Sequence, residues 1–150
     1  MNKTCAFALA TLAAALSLPA HAQTEIQWWH AMSGPLGEWV NDLAKQYNAS
    51  QNEFKVVPTY KGTYDESMTA AIAAFRAGNA PHILQVFEVG TATMMASKGA
   101  IKPVADVMKE GGAKFDAKAY VPAVAGYYTA PDGRMLSFPF NSSTTIFYYN

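Results

Sequence analysis

The sequence predicts an α/β fold built on a mostly parallel sheet, and two observations carry that expectation. Short β-rich runs at 25–30, 54–60 and 83–88 alternate with segments whose apolar residues recur every three or four positions. Alternation of this kind stacks helices on a parallel sheet. The run Ile83-Leu84-Gln85-Val86-Phe87-Glu88 is also nearly continuous in apolar residues, the pattern of a strand covered on both faces.

Taken in order, residues 25–30 form the expected first strand. Gly34-Pro35 opens a helix with proline in its first turn. Leu36, Trp39, Val40, Leu43, Ala44 and Tyr47 give that helix one apolar face, and a polar stretch over 48–52 closes it. Residues 54–60 form the next strand. Pro58 has no N–H to donate, so the strand lies at an edge or ends there. Thr63-Tyr64-Asp65-Glu66 fits a capping box, with Thr63 as N-cap and Glu66 reaching back to its amide. Met68, Ile72 and Phe75 mark the expected buried stripe, Gly78 suits the left-handed position past the helix end, and Pro81 lies just beyond. Strand 83–88 follows and places Glu88 at its C-terminal end. Short helices are expected at 91–98, ended by Gly99, and at 104–110, ended by Gly111-Gly112. Tyr127-Tyr128-Thr129, the turn Ala130-Pro131-Asp132-Gly133 and residues 135–138 suggest a hairpin. The aromatic, β-branched run 144–150 reads as a strand, with the chain a fragment cut just after it. No internal repeat or low-complexity segment interrupts 23–150.

Residues 1–22 read as a secretory signal peptide. Lys3 supplies the positive start, an uncharged Ala/Leu/Phe run follows, and Ala20-His21-Ala22 is a cleavage site ahead of Gln23. The run is shorter than the roughly 20 apolar residues of a membrane span. Cys5 lies near its start, badly placed for lipid attachment. Export, most naturally to a bacterial periplasm, is expected. Cleavage removes the single cysteine, so the mature domain at 23–150 has no disulfide or thiolate chemistry. The leader holds Lys3 and no acid, so 10 basic groups remain against 11 acidic ones. That balance and the lack of a basic run argue against nucleic-acid binding.

Catalytic signatures are absent: there is no nucleophile elbow, phosphate-binding glycine loop, H-E-x-x-H or dinucleotide fingerprint. His30 and His82 lie far apart without metal-ligand spacing, so neither a metal nor a cofactor is expected. His30 is read as a strand cap and His82 as solvent-facing. Glu88 is a ligand candidate because a carboxylate at a strand's C-terminal end faces the crevice where open α/β sheets take ligands. Its bland alternative is a surface charge, or a partner for Lys98 or Lys102. Tyr64 stands at a helix start, where free amides favour an anion and its phenol adds a donor; packing across the helix start is the alternative. Asn141-Ser142-Ser143-Thr144-Thr145 offers neutral donors to a phosphate or sugar, or is an ordinary turn. Ser143 has no evident base, so a nucleophilic role is discounted. Trp28 and Trp29 point to opposite faces of a strand, so at most one faces a cleft, and core packing is the expected fate of both. Met94 and Met95 are expected in the core or at a mobile contact surface.

The segments 57–64, 71–76, 78–81, 88–97, Ile101-Lys102-Pro103-Val104 and 139–144 resemble the periplasmic sn-glycerol-3-phosphate-binding proteins of ATP-binding-cassette importers. The resemblance runs from about Trp29 to Asn150. It implies the first lobe of a two-lobed, periplasmic binding protein-like fold, truncated near its crossover. It further implies capture of sn-glycerol-3-phosphate, or of its diesters, and delivery to permease subunits in the inner membrane by a monomeric, non-enzymatic protein. Ligand contacts would fall on Tyr64, Glu88 and Ser143. Further contacts, including a phosphate-binding arginine, would lie outside this chain. A neutral-sugar or oligosaccharide receptor of the same superfamily is the alternative, and an exported hydrolase a more distant one.

Overall fold

The computed structural model describes residues 23–150 except Lys98, Thr144 and Asn150, and leaves the Ala117 side chain undescribed. The expected signal peptide with Cys5, the pairing of Glu88 with Lys98 and the two ends of the 144–150 run lie outside the described residues. Three strands, β1 (Thr24–His30), β2 (Phe54–Tyr60) and β3 (Ile83–Leu84), form a parallel sheet in the order β2-β1-β3. The expected parallel α/β architecture is thus present. Helices α1 (Gly34–Ser50) and α2 (Tyr64–Arg76) make the crossovers, which need a dozen or more residues because parallel strands run the same way.

Strand β2 is an edge strand and runs on through Pro58, the first of the two outcomes that Pro58 allows. Lys61 N–H donates to His30 O, so the odd-numbered amides of this strand face β1 and those of 56 and 58 face outward. Pro58 therefore sits where a donor would have no strand partner. At Val56 the outward groups are taken up by Asn48: Val56 N–H donates to Asn48 Oδ1 (2.7 Å), and Asn48 Nδ2 donates to Val56 O (2.8 Å). The polar end of α1 therefore also covers the sheet edge.

Val40 and Ala44 of α1 and Ala71 of α2 are buried, with Met32 just past β1 and Met135 farther along the chain. The expected α2 stripe needs correction. Phe75 is 46% exposed, Met68 and Ile72 are half-buried, and Ser67 and Ala71 are the buried residues. Small side chains there let the helix lie close to β1. Gly78 does adopt the left-handed conformation, φ +75°. Gly78 N–H donates to Phe75 O and Asn79 N–H to Ala74 O, which is a Schellman ending.

Beyond Leu84 the expectations fail more often. The strand expected over 83–88 is only Ile83–Leu84, and Glu88 begins helix α3 (Glu88–Ala96) rather than closing a strand. That helix starts three residues before the expected 91. Helix α4 (Val104–Glu110) has the expected bounds. A 3-10 turn at Ala117–Ala119 and helix α5 (Pro122–Tyr127) were not expected. The hairpin is reduced to a single antiparallel bridge, Thr129↔Met135, with Tyr127 helical. One reason is visible in the hydrogen bonds: Met135 O and Leu136 O accept from Ala105 N–H and Val104 N–H at the start of α4. Those carbonyls are no longer available to a sister strand. Residues 145–149 form no strand, and Ile146, Phe147, Tyr148 and Tyr149 are exposed.

Candidate functional site

The capping box fixes Tyr64. Thr63 N–H donates to Glu66 Oε2 (2.7 Å) and Glu66 N–H donates to Thr63 Oγ1 (3.3 Å). The Thr63 main-chain bond holds the Glu66 carboxyl below its usual range. Tyr64 is the first residue of α2, and its ring stacks on Phe87, centroids 5.4 Å apart. Phe87 is the N-cap of α3 and Glu88 its first residue. Gly90 allows this approach. A Cβ on it would stand 2.8 Å from Met68 Sδ and 2.9 Å from the Phe87 ring, closer than packed atoms tolerate. The Tyr127 hydroxyl donates to Glu88 O at 2.6 Å and ties the end of α5 to the start of α3.

Tyr64, Glu88 and Ser143 line one cavity of about 150 Å³. The three come from a helix start, a second helix start and an irregular segment. Val86, Phe87, Tyr128 and Asn141 complete the lining. Burial pushes the Tyr128 phenol up, and the nearby Tyr127, Glu88 and Tyr64 add to the shift; at neutral pH it is a hydrogen-bonding O–H. The cavity thus presents one carboxylate acceptor, three hydroxyl groups and an amide over an apolar floor. Its described lining carries no Lys, Arg or His. That chemistry suits a small ligand bearing several hydroxyls: the carboxylate accepts from them and the neutral groups donate.

The bland partner offered for Glu88 is removed in one case, because Lys102 pairs with Glu110. Among the described residues, no histidine lines the cavity with Ser143. His30 is 3% exposed at the end of β1, where burial lowers its pKa and its Nδ1 accepts from Met32 N–H. His82 is exposed as expected, yet its Nδ1 accepts from Gln27 N–H. Neither tryptophan lines the cavity. Trp28 packs edge-on against Phe140 (5.4 Å) and lines a separate apolar groove of about 240 Å³ with Leu43, Ala44, Tyr47, Val56 and Ile83. Trp29 lies under Lys61 Nζ, 3.9 Å from the ring centroid. Met94 and Met95 are half-buried. Sequence reasoning missed Tyr128, which it placed in a hairpin strand, and Gln85, which it read as part of an apolar run. The polar residue inside that run was the available signal for Gln85.

The bacterial extracellular solute-binding protein family matches residues 42–150. The chain is 53% identical over 139 residues to the sn-glycerol-3-phosphate-binding periplasmic protein UgpB of Brucella abortus (strain 2308), covering 93% of this chain and 32% of that protein. The UgpB proteins of Rhizobium meliloti (strain 1021) and Escherichia coli O1:K1 / APEC are 51% and 56% identical, over 93% and 99% of this chain and 33% and 34% of theirs. The chain spans about a third of the length of these curated relatives. With the match covering most of its residues, this chain belongs to the bacterial extracellular solute-binding protein family.

Proposed function

We propose that this chain supplies one wall of a site for sn-glycerol-3-phosphate in a periplasmic solute-binding protein that serves an ATP-binding-cassette permease. The observation that carries the reading is the meeting of Tyr64, Glu88 and Ser143 in one cavity. Relatives 51–56% identical bear the name sn-glycerol-3-phosphate-binding periplasmic protein. Glu88 accepts hydrogen bonds from the glycerol hydroxyls, while Tyr64 and Ser143 donate to phosphate oxygens. Phosphate charge is compensated outside the described lining, which holds no cation. The cavity is smaller than the roughly 300–1,000 Å³ of drug-sized sites, which fits a three-carbon ligand shared with a second wall. Residues 1–22 act as the export signal, the protein works as a monomer, and it binds without catalysis, metal or cofactor.

A neutral-sugar receptor is the second reading, favoured by that cation-free lining. Calorimetric titration of the full-length protein separates the two. On the phosphate reading, sn-glycerol-3-phosphate binds and a neutral oligosaccharide does not. Glu88→Ala then weakens binding by about 1.5–3 kcal/mol, the range for a hydrogen bond to a charged group. Tyr64→Phe and Ser143→Ala each cost about 1 kcal/mol for sn-glycerol-3-phosphate and hardly affect any weak glycerol binding. Binding of the oligosaccharide alone, or an affinity indifferent to Glu88→Ala, contradicts the reading.

A further inference from the structure

Strand β3 stops at Leu84 although the apolar run continues to Phe87, and Gln85 accounts for the stop. With Trp28 paired to Ile83 and Trp29 to Leu84, Gln85 stands opposite His30. Its N–H donates to Trp29 O at 2.9 Å, as the next rung of a parallel ladder requires. The following rung would run from Ala31 N–H to the main-chain carbonyl of Gln85. Ala31 N–H instead donates to Gln85 Oε1 at 3.0 Å. The side chain takes the place of the backbone carbonyl, so β1 keeps its partner while the main chain turns away toward Phe87 and Glu88.

That substitution also orients the amide. A main-chain N–H can only donate, so the atom facing Ala31 is the oxygen. The Gln85 Nε2 end then faces Asn141 and donates to its Oδ1 at 3.2 Å. Asn141 in turn has its oxygen turned toward Gln85 and its NH2 end turned away, and Asn141 lines the cavity. Gln85 itself is 8% exposed and is not among the lining residues.

We propose that Gln85 is a positioning residue for the site: it ends β3 so that Glu88 reaches the cavity, and it fixes Asn141 as a hydrogen-bond donor to an anionic ligand. The ligand part of this inference rests on the binding function proposed above. The amide orientation rests on the geometry alone.

The test is a double-mutant cycle in the full-length protein, Gln85→Met against Asn141→Leu. It is read by titration with sn-glycerol-3-phosphate and, without ligand, by 15N relaxation of the Asn141 side-chain amide. Gln85→Met is expected to weaken binding about tenfold, and the same change in the Asn141→Leu protein about twofold or less, because both changes remove one unit. In ligand-free Gln85→Met protein the Asn141 NH2 becomes mobile and the Ala31 amide exchanges faster. Equal costs in the two backgrounds, or an Asn141 amide as ordered as in the unmodified protein, overturns the inference. If Gln85→Met does not fold, Gln85→Glu keeps an acceptor for Ala31 and forces the Asn141 amide to reverse and donate to the carboxylate. Its NH2 resonances then move, and unmoved resonances overturn the inference equally. Failure of the unmodified protein to bind sn-glycerol-3-phosphate sinks the function proposed above, while the ligand-free readouts still decide the role of Gln85.

Discussion

Residues 24–76 hold four buried apolar side chains, Met32, Val40, Ala44 and Ala71, whereas helices α3, α4 and α5 hold none. The first region is a packed layer: two strands paired along seven residues, with α1 and α2 as their crossovers. The second has one buried apolar side chain, Met135, and an aromatic cluster of Phe115, Tyr120 and Phe138, and directed polar contacts join its parts: Tyr127 to Glu88, Gln85 to Asn141, Met135 and Leu136 to the start of α4. The cavity lies where the two meet. Tyr64 belongs to the packed region, and Glu88, Tyr128, Asn141 and Ser143 to the other.

The contrast is sharpest in stability. Val40 is fully buried, so Val40→Ala should cost about 2 kcal/mol in chemical denaturation of the full-length protein. Val107 on α4 is 46% exposed, and Val107→Ala should cost less than about 0.5 kcal/mol. Similar losses at both positions would erase the distinction between the regions.

A smaller effect tests how firmly the packed region holds Tyr64. Thr63→Ala removes the N-cap of α2 and should cost about 1 kcal/mol. Hydrogen exchange should accelerate in the first turn of α2 and leave α1 unchanged. Uniform acceleration would mean that the cap acts on the whole layer rather than on the site's edge.

Much of the packed region was legible because its signals are local. The Thr63 and Glu66 bonds span three residues, and the Gly78 ending spans five. Both can be read from adjacent letters. The end of β3 could not, because it depends on Gln85 meeting Ala31, 54 positions away. Glu88 begins a helix where the sequence suggests the end of a strand, and a strand's C-terminal end and the start of the helix after it lie at the same edge of a parallel sheet. The turn at 130–133 was read correctly: Gly133 has φ +85° and Ala130 N–H donates to Arg134 O at 2.8 Å. The strands on either side were not, because β propensity describes fitness for a pleated surface and supplies no partner. Phe147, Tyr148 and Tyr149, each at least 84% exposed, show the same limit.

The smallest expected effect concerns pH. Burial lowers the His30 pKa below its usual 6.5. Well above pH 6.5 the folded and unfolded states are both neutral at this site, and His30 adds no pH dependence. As pH falls below 6.5 the unfolded chain takes up a proton that the native state resists, so stability declines on acidification through that window. His30→Gln should flatten this part of the stability profile. A profile unchanged by the substitution would assign the slope elsewhere. Glu66 acts lower: its depressed carboxyl stabilises the fold above pH 4.5 and ceases to do so as pH falls through its native pKa.

The central claim is that the polar cavity, not the apolar groove, receives the ligand. Chemical-shift mapping of the 15N-labelled full-length protein with sn-glycerol-3-phosphate tests it most directly. The predicted result is a cluster of large amide shifts at Tyr64, Glu88, Asn141 and Ser143, with Trp28, Tyr47 and Val56 unmoved. Shifts gathered at Trp28, Tyr47 and Val56, or no shifts at ligand concentrations far above the protein's, would contradict it.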